Sequence, residues 1–242
     1  MKKFRNQWII ASLITGAFFI ISCEKSDTKT EIFEIQEEEG FKSSTGNQDQ
    51  VLNIGEEEIQ QPLLHMSFGK EISEEEAELH WNNAVKEYMR KNPIQNRDYS
   101  TNWGYTIRTY TGTQIYNNTN GLAQASVSFY TSAGTHHTGY VDLDNPGNDR
   151  QRGQYDYYLF RTSIIGQAVS WVEVNNAHLR LEGTNGWFVK EFNVYVLRYD
   201  QTVPASGSSY IITAPNIWLD NENPNGWDYY NTLNIGIGRL TF

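Results

Sequence analysis

From Trp103 onward, apolar and polar residues alternate in short runs separated by turn residues. Tyr105, Ile107 and Thr109 open the series. Ala123, Ala125, Val127 and Phe129 then alternate with Gln124, Ser126, Ser128 and Tyr130. Val141 and Leu143 follow Gly139, and Tyr155 to Arg161 and Val169 to Val174 are two further runs. Leu179 and Leu181 alternate with His178 and Arg180, and Ile211-Ile212 and Leu233 to Ile237 complete the set. A period of two puts one set of side chains on one face of a strand. The stretch Gly183–Val194 reads as a tight turn feeding a long strand, with Asn185-Gly186 suited to a hairpin connection. Phe188, Phe192, Val194 and Val196 fall on one side of that strand, and Lys190 interrupts them. About eight strands with frequent turns predict a mainly β fold, an antiparallel eight-stranded β-sandwich over residues 101–242, with a closed barrel as the alternative.

The period changes between Ile72 and Asn92. Ser73 followed by Glu76 is a capping box, with Glu74 and Glu75 also suited to a first turn. Ala77, Trp81, Ala84, Val85 and Tyr88 or Met89 recur at steps of three and four, the stripe of an amphipathic helix. Arg90 and Lys91 suit its end and Pro93 stops it, so a helix is predicted over 71–92, docked on the β-domain through Trp81 and Val85.

Residues 1–22 combine a basic start (Lys2, Lys3, Arg5) with an apolar run from Trp8 to Ile21, the form of a secretory signal. The run is short for a membrane span, which needs about 20 apolar residues. Residues 23–70 carry glutamate triplets and little periodicity, and are expected to form a disordered acidic tether.

The formal charge of −10 gives no basic excess, so nucleic acid is not an expected partner. The one cysteine, Cys23, excludes an internal disulfide or a multi-cysteine metal site.

Ile20-Ile21-Ser22-Cys23 resembles a bacterial lipobox. That resemblance implies lipidation at Cys23, a membrane as the anchoring partner, and an outer-membrane lipoprotein of the cell envelope, with the Glu24-Lys25-Ser26-Asp27 start similar to those of surface-exported lipoproteins of Bacteroidetes. Further motifs stand in order: Thr111-Gly112, Gly121-Leu122-Ala123-Gln124-Ala125, Arg152-Gly153-Gln154-Tyr155-Asp156-Tyr157, Ile164-Ile165-Gly166, Trp187-Phe188-Val189 with Phe192 and Val194, and Ile217-Trp218-Leu219-Asp220. Together they resemble a PLAT (lipoxygenase-homology) domain over residues 104 to 220. The resemblance implies a β-sandwich binding module for a lipid or membrane surface or a protein partner, structural roles for Trp187 and Trp218, and calcium in the loops. Thr113 and Ile217 stand where that family usually has aspartate and arginine.

Asp142, Asp144, Asn148 and Asp149 crowd one loop and offer the oxygen ligands that Ca2+ takes, although Asp-Asn-Pro-Gly-Asn-Asp is also a good turn sequence. Trp103, Trp227, Tyr229 and Tyr230 stand among Asn, Gly and Asp residues. At turns they would stack on sugar rings, enter a membrane interface, or cap the sandwich. His80 beside Glu76, adjacent His136 and His137, and the strand residues Asp156 and Glu173 lack the partners that a metal or acid pair requires. Arg150 and Arg152 are expected to pair with the acidic loop. No nucleophile motif is present. The expectation is a non-enzymatic, lipid-anchored envelope protein with a binding module. The alternatives are a carbohydrate-binding surface lipoprotein with a glycan ligand, or an accessory subunit of a secreted hydrolase.

Overall fold

The computed structural model describes residues 59–94, 101–117, 119–143, 149–200 and 204–242. The signal, Cys23 and most of the expected tether lie outside these residues. The described residues all belong to one unit, Thr45–Phe242. Its elements are β1 (Leu64–Phe68), α1 (Glu74–Lys91), β2 (Thr101–Thr111), β3 (Ala123–Thr131), β4 (Gly134–Asp142), β5 (Tyr155–Ile164), β6 (Trp171–Glu182), β7 (Trp187–Leu197), β8 (Ser206–Ile211), β9 (Ile217–Leu219), β10 (Trp227–Asn231) and β11 (Ile237–Thr241). The fold is mainly β and antiparallel, with eleven strands among the described residues rather than eight. Hydrogen bonding runs in the order β1-β5-β2-β7-β8-β11-β6-β3-β4, with β9 on β7 and β10 on β6. The two limbs of this sheet lie face to face, since residues of β2, β5 and β7 share one core cluster with residues of β3, β4 and β6. The rings of Trp103 and Tyr105 on β2 meet Phe129 on β3 edge-on, at 5.4 and 5.5 Å. A sandwich results, hydrogen-bonded along one side through β8 and β11.

α1 covers the outer face of the first limb. Ser73 caps it by accepting from the Glu76 N–H at 3.2 Å. Ala77, Trp81, Val85 and Met89 are its buried stripe, packed with Phe68, Tyr157 and Leu159. Trp81 stacks on Tyr157 at 5.4 Å and donates to Thr106 Oγ1 at 3.3 Å. This explains the unbroken apolar run in β5, a strand buried on both faces: Tyr158 and Phe160 face the sandwich core, while Tyr157 and Leu159 face the helix. Beneath the helix start, buried Arg108 donates to Glu74 Oε1 at 2.7 Å and to Glu191. Burial opposes its charge, but the bond to Glu74, with Tyr195, Tyr157 and Glu191, outweighs this and raises its pKa.

The structure corrects several expectations. The tether does not extend to residue 70, because Leu64, Met66 and Phe68 form β1, paired with β5 from Leu64↔Leu159 to Phe68↔Tyr155. Val169–Val174 and Leu179–Leu181 are not two strands; 171–182 is one strand, with a register shift opposite Ser128/Phe129. Leu233–Ile237 is not a strand, since Leu233 takes a φ of +58° between β10 and β11. The Asn185-Gly186 turn is not a hairpin. β6 and β7 lie in opposite limbs, so residues 183–186 form an arch between layers, in which Gly183 takes the positive φ and donates to the Gly226 carbonyl.

The interruption at Lys190 is a β-bulge. Tyr110 pairs with Glu191 and Thr111 with Val189, leaving Lys190 unpaired and exposed. The extra residue flips the parity of β7. Trp187 and Val189 face the core before it, and Phe192, Val194 and Val196 after it, while Phe188 turns outward.

Candidate functional site

The residues that stand out as a built surface are at the end where the β2–β3 connection meets the start of β7. Buried Asn117 fastens this connection. Its amide donates to the carbonyls of Gly112 at 2.6 Å and Phe188 at 3.1 Å, and its Oδ1 accepts from the Phe188 N–H at 2.7 Å. Thr119 adds a bond to the Asn185 carbonyl at 2.6 Å. Gly112 is needed here, because a Cβ at that position would lie 2.5 Å from Phe188 Cδ1. The held loop projects Ile115, 70% exposed, and Tyr116, 88% exposed and at a φ of +66°. A tyrosine in the left-handed region is strained and stays there only where its surroundings hold it. Beside the loop, Phe188 and Trp218 are opposite each other on β7 and β9, with ring centroids 5.4 Å apart.

Three cations stand about the foot of this connection, near Tyr110 and Thr113. Gly153, next to Arg152, approaches both Thr113 and Lys70, and the Lys190 ammonium stands 5.1 Å from the Tyr110 ring centroid. All three are exposed in a chain of net charge −10. Glu71 and Glu191 stand near them, the second paired with Arg108. The arrangement is an exposed apolar pair on a loop fastened to β7, with charges of both signs near its foot. It was missed in the sequence because Ile115 and Tyr116 sit in a run of Thr, Gly, Gln and Asn without periodicity.

The predicted site residues are dispersed. Trp103 is not an exposed turn aromatic. It lies in β2, fully buried, edge-on to Phe129 and His136. Trp227, Tyr229 and Tyr230 lie in β10 rather than a turn, and Tyr230 turns inward to meet Phe192 at 6.1 Å. Trp187 is structural as expected, buried and donating to Thr111 Oγ1 at 2.8 Å. Trp218 does not hold the core, being 44% exposed, because it faces outward on the short edge strand β9.

Of the calcium set, Asp144 and Asn148 lie outside the described residues. Asp142 accepts from the Gln61 amide at 2.8 Å, and the buried Asp149 carboxylate is 2.6 Å from Arg150 Nη1. Both described carboxylates are thus engaged by neighbouring side chains. Among the described residues, no group of three His, Cys, Asp or Glu side chains is gathered around a point that could hold a metal.

His80 Nε2 stands 3.8 Å from Glu76 Oε1, both side chains exposed. Asp156 and Glu173 are apart. Asp156 accepts from Gln154 Nε2 and the Arg150 N–H, both at 2.9 Å, and Glu173 pairs with Arg239. His136 is half-buried, with Nε2 2.7 Å from Thr162 Oγ1. Burial, and secondarily His137, lowers its pKa below the ordinary 6.5. The unfolded chain therefore binds this proton more readily, and the stabilisation from neutral His136 is present above about 6.5 and lost as pH falls through the lowered value. The melting temperature should decline as pH drops below about 6.5, and His136→Gln should flatten that decline. An unchanged pH slope in thermal melts of the variant would overturn the assignment.

No family model and no curated protein matches the chain. Among solved structures, it is similar to a Clostridium perfringens alpha-toxin from an avian strain, at 18% identity and a TM-score of 0.35, over 57% of this chain and 33% of that one. The alpha-toxin of Clostridium absonum is similar at 19% identity and a TM-score of 0.34, over 56% and 32%. A coral 8R-lipoxygenase, described with calcium activation through a C2-like domain, is similar at 17% identity and a TM-score of 0.34, over 52% and 16%. The chain thus spans a third or less of the length of these proteins.

Proposed function

We propose that this chain is a non-catalytic docking protein that seats its Ile115–Tyr116 tip in a lipid surface, anchored to a bacterial cell envelope through lipidated Cys23. The observation that carries the reading is the tip itself. Two large apolar side chains project into solvent from a loop that buried Asn117 fastens to Gly112 and Phe188. Apolar groups presented together on a preorganised loop mark an interaction surface, whereas scattered ones do not. Lys70, Arg152 and Lys190 supply the positive charge that draws such a tip to anionic headgroups. The lipobox-like Ser22-Cys23 and the PLAT-like motif order point the same way.

The test uses the unit Thr45–Phe242, because the apolar run at Trp8–Ile21 would bind vesicles by itself. Sedimentation with phosphatidylcholine vesicles containing an anionic lipid should retain the unit. Ile115→Ser/Tyr116→Ser should weaken retention at least tenfold, since each buried apolar side chain contributes about 1.5 kcal/mol or more and ~1.4 kcal/mol is tenfold. Retention unchanged in the double variant, or absent in the parent, would sink the proposal. Anchoring is tested separately by acyl labelling of the full chain, which Cys23→Ala should abolish.

A further inference from the structure

The sandwich has two outer faces. α1 covers that of β1-β5-β2, whereas the outer face of β10-β6-β3-β4 leaves Tyr229 59% exposed. On this second face Arg180 stands opposite Gln124 of β3 and Tyr229 of β10. Its guanidinium lies between two rings, 3.5 Å from the Tyr140 centroid and 4.0 Å from that of Trp227. Its Nε donates to Oε1 of buried Gln124 at 2.8 Å, and Nη2 donates to the same oxygen. A surface cation held by two rings and an amide is preorganised rather than free to sweep solvent. Trp227 and Tyr229 are two residues apart on β10, so their side chains leave the same face about 7 Å apart.

We propose that this face is a second binding site, and that its ligand is an uncharged oligosaccharide. The proposal is independent of the lipid-docking tip. A pyranose offers an apolar C–H face and a rim of hydroxyls, and this surface offers the exposed ring of Tyr229 beside the Tyr140–Arg180–Trp227 stack. From Tyr140 and Asp142 on β4 to Trp227 and Tyr229 on β10, the outward positions are aromatic or polar, with no aliphatic side chain for an acyl chain or an apolar helix to pack on. Charge complementarity selects a neutral ligand, because Arg180 shares this face with two carboxylates, Asp142 opposite Gln124 and Glu182 opposite Trp227, which leaves no net positive field for a polyanion.

The full chain, kept soluble in a non-glycosidic detergent, should be titrated calorimetrically with neutral α- and β-linked hexasaccharides of glucose, xylose and mannose, and with a hexauronate. Saturable heat with at least one neutral hexasaccharide at millimolar concentration is expected. Tyr229→Ala, an exposed change that should leave the fold intact by circular dichroism, should weaken binding by about tenfold, the upper end of one aromatic contact. Trp227→Tyr, which keeps a ring against Arg180, should weaken it less than Trp227→Ala. Ile115→Ser/Tyr116→Ser should not change it. No saturable response to any neutral sugar, undiminished binding by Tyr229→Ala, or tighter binding of the hexauronate would overturn the proposal.

Discussion

Replacing Phe192 with alanine should cost about 3–5 kcal/mol, the usual range for deleting a buried phenylalanine from a packed core. Phe192 is fully buried, and its ring meets Tyr230 of the opposite limb, so the lost side chain is one that joins the layers. Its backbone is engaged as well, accepting from the Thr213 hydroxyl and donating to the Thr213 carbonyl at 3.2 Å, which hinders collapse into the cavity. The informative comparison is with Phe188, four residues earlier. An uninterrupted strand would place both rings on one face. The bulge at Lys190 instead turns Phe188 outward against Trp218, where alanine should cost about 1 kcal/mol or less. Urea unfolding of the two variants measures the difference. Equal costs would mean that β7 runs without the bulge, and a cost under ~1 kcal/mol for Phe192→Ala would place that ring outside the core.

The same bulge shows what was readable in the sequence and why the rest was not. Local signals survived. The Ser73–Glu76 cap and the Ala77–Trp81–Val85 stripe depend on residues three to four apart, and the helix starts and buries its face as they imply. Strand alternation located most of the sheet for the same reason. What depended on distant partners was invisible. β1 is only five residues long beside an acidic stretch, and gains its meaning from β5 about ninety residues later. Asn185-Gly186 is a hairpin signal, but β6 and β7 lie in opposite limbs, and with the Gly183–Gly226 bond the segment is an arch. Trp103 looked like a loop aromatic among Asn and Gly neighbours, yet its own strand carries it between two pairing strands into the core. The candidate surfaces were half legible. Trp227 and Tyr229 stand out as aromatics among Asn, Gly and Asp, but Tyr140 and Arg180 join them only through cross-strand register. Nothing in the periodicity marked Ile115 and Tyr116.

Arg150→Met should be as damaging as Phe192→Ala, for an electrostatic reason. Arg150 is fully buried at a φ of +52°, and its guanidinium ties together segments far apart in the chain. Nη1 donates to the Leu143 carbonyl and to Asp149 Oδ2, each at 2.6 Å, and Nη2 donates to the Gly121 carbonyl at 3.1 Å. Its Cζ stands 5.8 Å from the Trp187 ring centroid. Methionine fills much of the volume but returns none of these bonds. It leaves a buried carboxylate without the cation it pairs with, and removing one partner of a buried ion pair costs about 3–5 kcal/mol. Adding Asp149→Leu should recover part of the loss, because the pair's net contribution is smaller than the penalty of breaking it. A single-variant cost under ~1 kcal/mol, or a double variant less stable than Arg150→Met, would show that the guanidinium is solvated rather than locked. The change also bears on the proposed docking tip. Gly121 closes the connection that presents Ile115 and Tyr116, and Trp187 opens the strand on which Asn117 is fastened. Loosening Arg150 should therefore speed amide exchange at 112–117 and reduce vesicle retention, even where most of the chain remains folded. Fast exchange without loss of retention would mean that the tip does not need its rigid mount.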